Sequence, residues 1–184
     1  MWWLFNKAFI FLVRLVLSLS FVACENSRSE SQSPWSSDAE NADSSHLDTS
    51  SAIKAKKLVK YAATLLGTPY KIAGKNKDGF DCSGFVSYVF KNQSIILPSS
   101  TKSLIELGRE INLSEAAPGD IIFFTGTDSS SREVGHAGII VSVTGDSTKF
   151  IHSSSAKSSP CVKYNVLELS PGYQRRFLKV KRIL

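Results

Sequence analysis

The chain has 184 residues with 22 basic and 16 acidic side chains, and the two signs are unevenly placed. Residues 25–51 carry one basic residue against six acidic ones, which leaves 19 basic and 10 acidic residues in 52–184. The latter stretch is long enough to bury one domain-sized core. Its basic surplus favours an acidic partner or a solvated basic surface, but the lysines are scattered and form no recognisable nucleic-acid module.

In chain order, residues 1–24 (MWWLFNKAFIFLVRLVLSLSFVAC) hold Lys7 and Arg14 and then the uncharged run Leu15–Ala23. A run of that length is too short to span a bilayer, which takes about 20 residues. It suits the apolar region of an export signal over 1–23. Phe21-Val22-Ala23-Cys24 resembles a bacterial lipoprotein processing site, with Phe21 where leucine is usual. That resemblance makes Cys24 the first mature, lipidated residue, and it implies an exported, membrane-anchored protein in the periplasm or at the cell surface. Residues 24–51 are Ser-rich, acidic and nearly free of aliphatic side chains. Such a segment buries too little apolar surface to order itself and reads as a flexible tether.

A domain is expected over 52–184. Residues 52–66 place Ile53, Leu58, Tyr61, Ala62, Leu65 and Leu66 mostly on one helical face, with Gly67 as the stop. A loop follows, and 82–91 (CSGFVSYVFK) predicts a second helix with Phe85, Val86, Val89 and Phe90 inward. A short third helix is expected over 101–107, closed by Gly108. From Pro118-Gly119-Asp120 onward the pattern changes to strands: 121–124, 136–143, 149–154 and 177–184. Helices followed by antiparallel strands predict an α+β domain.

Cys82 sits at the entrance of the second helix, not inside its apolar run. The N–H groups of a helix's first turn are unpaired and carry the positive end of its dipole, so a thiol there is expected to ionise more easily. Gly84 would leave room for a substrate. A cysteine nucleophile needs a base, and 52–184 contains only His136 and His152. A hairpin turning near 144–147 would set them on adjacent strands, one as base and the other to orient it. A zinc site is the competing use of the same atoms, though the spacing 82, 136, 152 contains no short chelating pair. No metal or organic cofactor is expected. Cys161 reads as a small strand residue and Asp120 as a turn acceptor. Arg175 and Arg176 could touch an acidic ligand or lie solvated.

The blocks GTPY (67–70), DGFDCSGFVSYVF (78–90), LPSST (97–101), APGDIIFF (117–124), GHAGIIV (135–141) and FIHSS (150–154) occur in the order found in NlpC/P60 cysteine peptidases. The terminal run RRFLKVKRIL (175–184) is similar to that family's last strand, so the resemblance covers 55–184. It implies a papain-like α+β fold, helices packed on an antiparallel sheet. It also implies cleavage of stem peptides in bacterial peptidoglycan, most often between D-glutamate and the following diamino acid. Carried across, it makes Cys82 the nucleophile, His136 the base and His152 the orienting residue. Tyr70 would line the site, and Asp81 and Ser83 would bind the free amine of an L-Ala-terminated stem, unless they serve only to cap the helix. The family often has Trp or Phe and then Gly-Gly after the tyrosine block; here Ile72 and Ala73 stand in the first two of those places. The same cysteine and histidines would also suit an amidase or acyltransferase, or a non-catalytic module that grips stem peptides.

Overall fold

The computed structural model describes residues 40–184 apart from Ser129. The segments read as export signal, lipidated Cys24 and the first part of the tether lie outside the described residues. The first helix, α1 (Glu40–Ala63), begins twelve residues before the expected one, within the stretch read as tether. Each further residue of an existing helix adds one hydrogen bond, so the packed segment from 52 onward can propagate backwards. Leu58, Ala62 and Leu65 are buried, whereas Ile53 and Leu66 are exposed, so the apolar face is narrower than the sequence suggests. Gly67, at φ +80°, ends the segment and donates its N–H to Val162 O at 2.9 Å.

A small hairpin follows, β1 (Lys75–Asn76) and β2 (Gly79–Phe80), and then α2 (Cys82–Lys91). α2 has the bounds its sequence predicts. Asp81 caps it by accepting Gly84 N–H at 2.6 Å. Helix α3 (Thr101–Leu104) is shorter than expected. β3 (Arg109–Ile111) was not foreseen, and a 3₁₀ turn over Leu113–Glu115 leads to β4 (Ile121–Thr125). β5 (Val134–Thr144) and β6 (Ser147–Ser153) make a hairpin. β7 (Val162–Val166), α4 (Pro171–Arg176) and β8 (Phe177–Arg182) complete the chain.

Six strands form one sheet in the order β3-β8-β4-β5-β6-β7, every neighbouring pair antiparallel. The result is an α+β fold, as the order of elements predicts. The centre of the sheet is buried on both faces, and the run Ile121–Phe124 in β4 is apolar at four consecutive positions for that reason. Ile121 and Phe123 face the helices with Leu58, Phe85 and Val89. Ile122 and Phe124 face the opposite layer with Ile140, Phe150 and Val180, where Tyr173 and Phe177 pack. A strand buried on both sides cannot alternate apolar with polar residues. Asp120 is indeed a turn acceptor, taking Ala117 N–H at 2.7 Å, and it also holds Arg182 through two hydrogen bonds of 2.8 Å.

Candidate active site

The β5–β6 turn occupies residues 145 and 146, and the ladder runs from Thr144–Ser147 to Ile139–Ile151. His136 and His152 therefore lie on adjacent strands, diagonally across the same face. His136 Nε2 is 3.0 Å from His152 Nδ1, with the rings nearly perpendicular. His152 Nε2 is 3.0 Å from Asn165 Oδ1 on β7. Both rings are buried among Phe124, Phe150 and Tyr173. Space for this comes from Gly138. Continuing the register, it stands opposite His152, and its missing side chain lets the imidazole lean across to His136.

Cys82 comes to the same place from α2. Its Sγ lies 3.9 Å from Gly135 O and also meets the N–H of Ala137, so the sulfur sits against the backbone on either side of His136. Since His136 Nε2 is occupied by His152, the ring nitrogen left for Cys82 is Nδ1.

Electrostatics change one expectation. Burial pushes the Cys82 thiol above its ordinary value, and the Asp81 carboxylate adds to this. The N–H groups of Ala137, Ser83 and Cys82 itself pull the other way and do not win. The helix start therefore does not yield an easily ionised thiol, because desolvation of the anion outweighs it. Burial also holds His136 well below the usual imidazole range, helped by His152 and Arg176. His152 is lowered to about 4, chiefly by burial, against which the Asn165 hydrogen bond acts. At neutral pH the group is a thiol beside two neutral imidazoles. Such an arrangement can take a proton from sulfur as the sulfur attacks, which is general-base chemistry.

The other sequence-derived residues are placed as follows. Tyr70 is held by its N–H to Pro160 O at 2.8 Å, and it is half-buried. Its phenol is raised by burial first and then by Cys82 and Asp81, so it borders the thiol. Asp81 Oδ1 both caps α2 and faces the Ser83 hydroxyl at 3.1 Å. Ser83 is buried and also reaches Ser99 O at 3.1 Å. Gly84 does not open space for a substrate: a side chain there would strike Gly74 O, so the glycine serves a close backbone approach. Ile72 is 84% exposed and forms no buried floor. Arg176 is not free for a ligand, because its Nε and Nη1 donate to Gly172 O and Gly126 O and its guanidinium covers the Tyr173 ring. Cys161 is half-buried beside Ser159 and pairs through its backbone with Pro69. Among the described residues no group of three His, Cys, Asp or Glu side chains is placed to hold a metal ion. Asn165 and Tyr173 escaped the sequence reading, since a lone Asn or Tyr in a polar stretch carries no local signal.

A profile of the NlpC/P60 family matches residues 67–182. The chain is 34% identical over 119 residues to the probable endopeptidase NlpC of Escherichia coli K12, covering 64% of this chain and 70% of that one. It is 33% identical over 124 residues to the gamma-DL-glutamyl hydrolase of Bacillus subtilis 168, covering 67% of this chain and 28% of that one. It is 30% identical over 119 residues to the murein DD-endopeptidase MepS/murein LD-carboxypeptidase of Escherichia coli K12, covering 64% and 57%. An NlpC/P60 family crystal structure from Bacillus cereus superposes with a TM-score of 0.60 at 29% identity, covering 70% of this chain and 39% of that one. The chain thus spans less than two thirds of the last three proteins. The family's profile covers more than half of the chain and includes Cys82, His136 and His152; this chain belongs to the NlpC/P60 family.

Proposed function

We propose that the protein is a cysteine peptidase that hydrolyses peptidoglycan stem peptides, acting on the bond between D-γ-glutamate and the following diamino acid. The observation that carries this reading is the 3.0 Å link between His136 and His152 beside Cys82, at the start of α2. The names of the relatives, an endopeptidase, a gamma-DL-glutamyl hydrolase and a murein endopeptidase, support the substrate class. The basic surplus of residues 52–184 suits an anionic wall.

In the proposed reaction Cys82 Sγ attacks the scissile carbonyl carbon as His136 Nδ1 takes the thiol proton. Backbone N–H groups at the start of α2, including that of Cys82, stabilise the oxyanion. The tetrahedral adduct collapses by breaking the C–N bond, and His136 returns the proton to the leaving amine. A water molecule, deprotonated by His136, then attacks the thioester and releases the acid and the free thiol. His152 orients His136 throughout. Asp81, one residue before the nucleophile, places negative charge where an ammonium group of the stem would dock, and Tyr70 lines that approach. Ser83, being buried, acts on this subsite through Asp81. Export through residues 1–23 and lipidation at Cys24 would tether the enzyme to a membrane facing its substrate.

Two substrates separate the readings: the L-Ala-γ-D-Glu-diaminopimelate tripeptide with a free amine, and the same stem attached to muramic acid. Native protein and Cys82→Ala are compared, with products identified by mass spectrometry. Cleavage at the γ-glutamyl bond by native protein alone is the expected outcome. Cleavage that persists in Cys82→Ala, or no cleavage of either stem, overturns the proposal.

A further inference from the structure

Two neutral imidazoles joined by one hydrogen bond can place their protons in two ways. In one, His136 Nε2–H donates to His152 Nδ1, and His136 Nδ1 keeps its lone pair. In the other, His152 Nδ1–H donates to His136 Nε2, and the His136 proton sits on Nδ1. Only the first leaves His136 a lone pair on Nδ1, the ring nitrogen that His152 does not use. The pair alone does not choose between them, so the choice falls to the groups His152 meets beyond it, the Asn165 side chain foremost and the Ser153 backbone after it.

Asn165 Oδ1 is 3.0 Å from His152 Nε2, and Asn165 Nδ2 donates to Ser170 Oγ at 3.2 Å. An amide oxygen only accepts, so His152 Nε2 must carry the proton. A neutral ring then has no proton on Nδ1, which becomes the acceptor for His136 Nε2–H. Ser170 is the residue before α4, and α4 carries Tyr173, whose ring packs against both imidazoles. Four elements, β5, β6, β7 and α4, are therefore tied in one chain of contacts behind the thiol.

We propose that Asn165 is a positioning residue of this centre: by accepting the His152 Nε2 proton it fixes both tautomers and leaves His136 Nδ1 free to take the Cys82 proton. The inference rests on the reading of Cys82 and His136 as nucleophile and base, but not on the identity of the substrate. If the amide were turned, with Nδ2 toward His152, the proton order would reverse and the base would be lost.

The test uses the purified chain labelled with ¹⁵N-histidine and carrying His46→Asn, which leaves two imidazoles to observe. Long-range ¹H–¹⁵N spectra near neutral pH report which ring nitrogen bears each proton. Protonated Nε2 on both His136 and His152 is expected; a proton on Nδ1 of either ring overturns the proposal, whatever any variant does. Iodoacetamide alkylation of Cys82 is measured in parallel, because it needs no peptidoglycan. Asn165→Leu is expected to mix the tautomers and to slow alkylation by about tenfold or more, as loss of the correct tautomer does in other triads. Asn165→Asp keeps an acceptor and is expected to recover the tautomer and most of the rate. Native tautomers and rate in Asn165→Leu would overturn the role. Normal alkylation behaviour without cleavage of stem peptides would instead count only against the proposed substrate.

Discussion

Gly138 stands opposite His152 across the β5–β6 ladder, and a methyl group placed on it would lie 3.1 Å from His152 Cβ and 3.0 Å from Phe150 Cδ2. Those contacts are tighter than ordinary packing, and Phe150 and His152 are both fully buried. Gly138→Ala is therefore expected to push the His152 ring away from His136, and its third close contact, 3.0 Å to Ile151 O, presses on the β6 backbone as well. Overpacking of this kind costs about 1–3 kcal/mol, and a misplaced catalytic group can lower the rate by roughly a hundredfold. Urea unfolding together with the alkylation rate of Cys82 checks both. A native rate in Gly138→Ala would show that the His136–His152 bond does not depend on this gap.

The buried imidazoles also make stability depend on pH. His152 is lowered to about 4 in the folded protein, and His136 is lowered in the same direction. An unfolded histidine titrates near 6.5. Above that value neither state binds the proton, and the histidines contribute no pH dependence. As pH falls below it, the unfolded chain takes up protons that the folded one refuses, so folding stability declines until about pH 4. Each such histidine contributes a slope of about 1.4 kcal/mol per pH unit. The urea midpoint should fall steadily between pH 6.5 and 4.5, and less steeply in His152→Gln. Equal slopes in the two proteins would contradict the shift assigned to His152.

The histidine pair was legible in the sequence because a β-branched run, a Gly-Asp turn and a second apolar run define a hairpin by local chemistry alone. α2 was legible from the helical pattern of Phe85, Val86, Val89 and Phe90, whereas the sequence leaves Asp81 open to ligand binding or to the capping role it takes. What stayed hidden depends on contacts distant in sequence. β3 is three residues long and exists because β8 pairs with it. Asn165 earns its place only once β7 lies beside β6. The upward shift of the Cys82 thiol is hidden for the same reason: a helix start is visible in sequence, but the burial of the sulfur against β5 is not.

The Cys82 thiol carries a third prediction. It is raised by burial and then by the neighbouring Asp81, and His136 is neutral beside it. Alkylation by iodoacetamide, assisted only by neutral His136 below the thiol's own titration, should therefore stay slow and nearly level at neutral pH and climb as pH passes the ordinary thiol range of about 8.5. A thiolate–imidazolium pair would instead give a flat, fast rate from acidic pH upward, and that result would defeat the prediction. Asp81→Asn separates charge from structure, because Asn caps helices as well as Asp does. It should move the alkylation profile to lower pH while leaving the unfolding midpoint close to native.

Ala73 stands at φ +56°, in the left-handed region that costs an L-residue about 1–2 kcal/mol. It occupies one of the places where the family often carries glycine, and it is exposed. Gly74, next to it, has no such freedom to vary, since a side chain there would strike Gly79 O. Ala73→Gly relieves the left-handed strain but loosens the unfolded chain by about 0.4–1 kcal/mol. The first effect outweighs the second, leaving a net gain of roughly 0.8 kcal/mol. Ala73→Val meets the same backbone with a β-branched side chain, for which positive φ is a genuine outlier, and should lower stability by more than about 1 kcal/mol. At an exposed position that ordering, Gly above Ala above Val, can come only from the backbone. Equal urea midpoints for the glycine and valine variants would mean that the loop between Tyr70 and Gly74 abandons this conformation without cost.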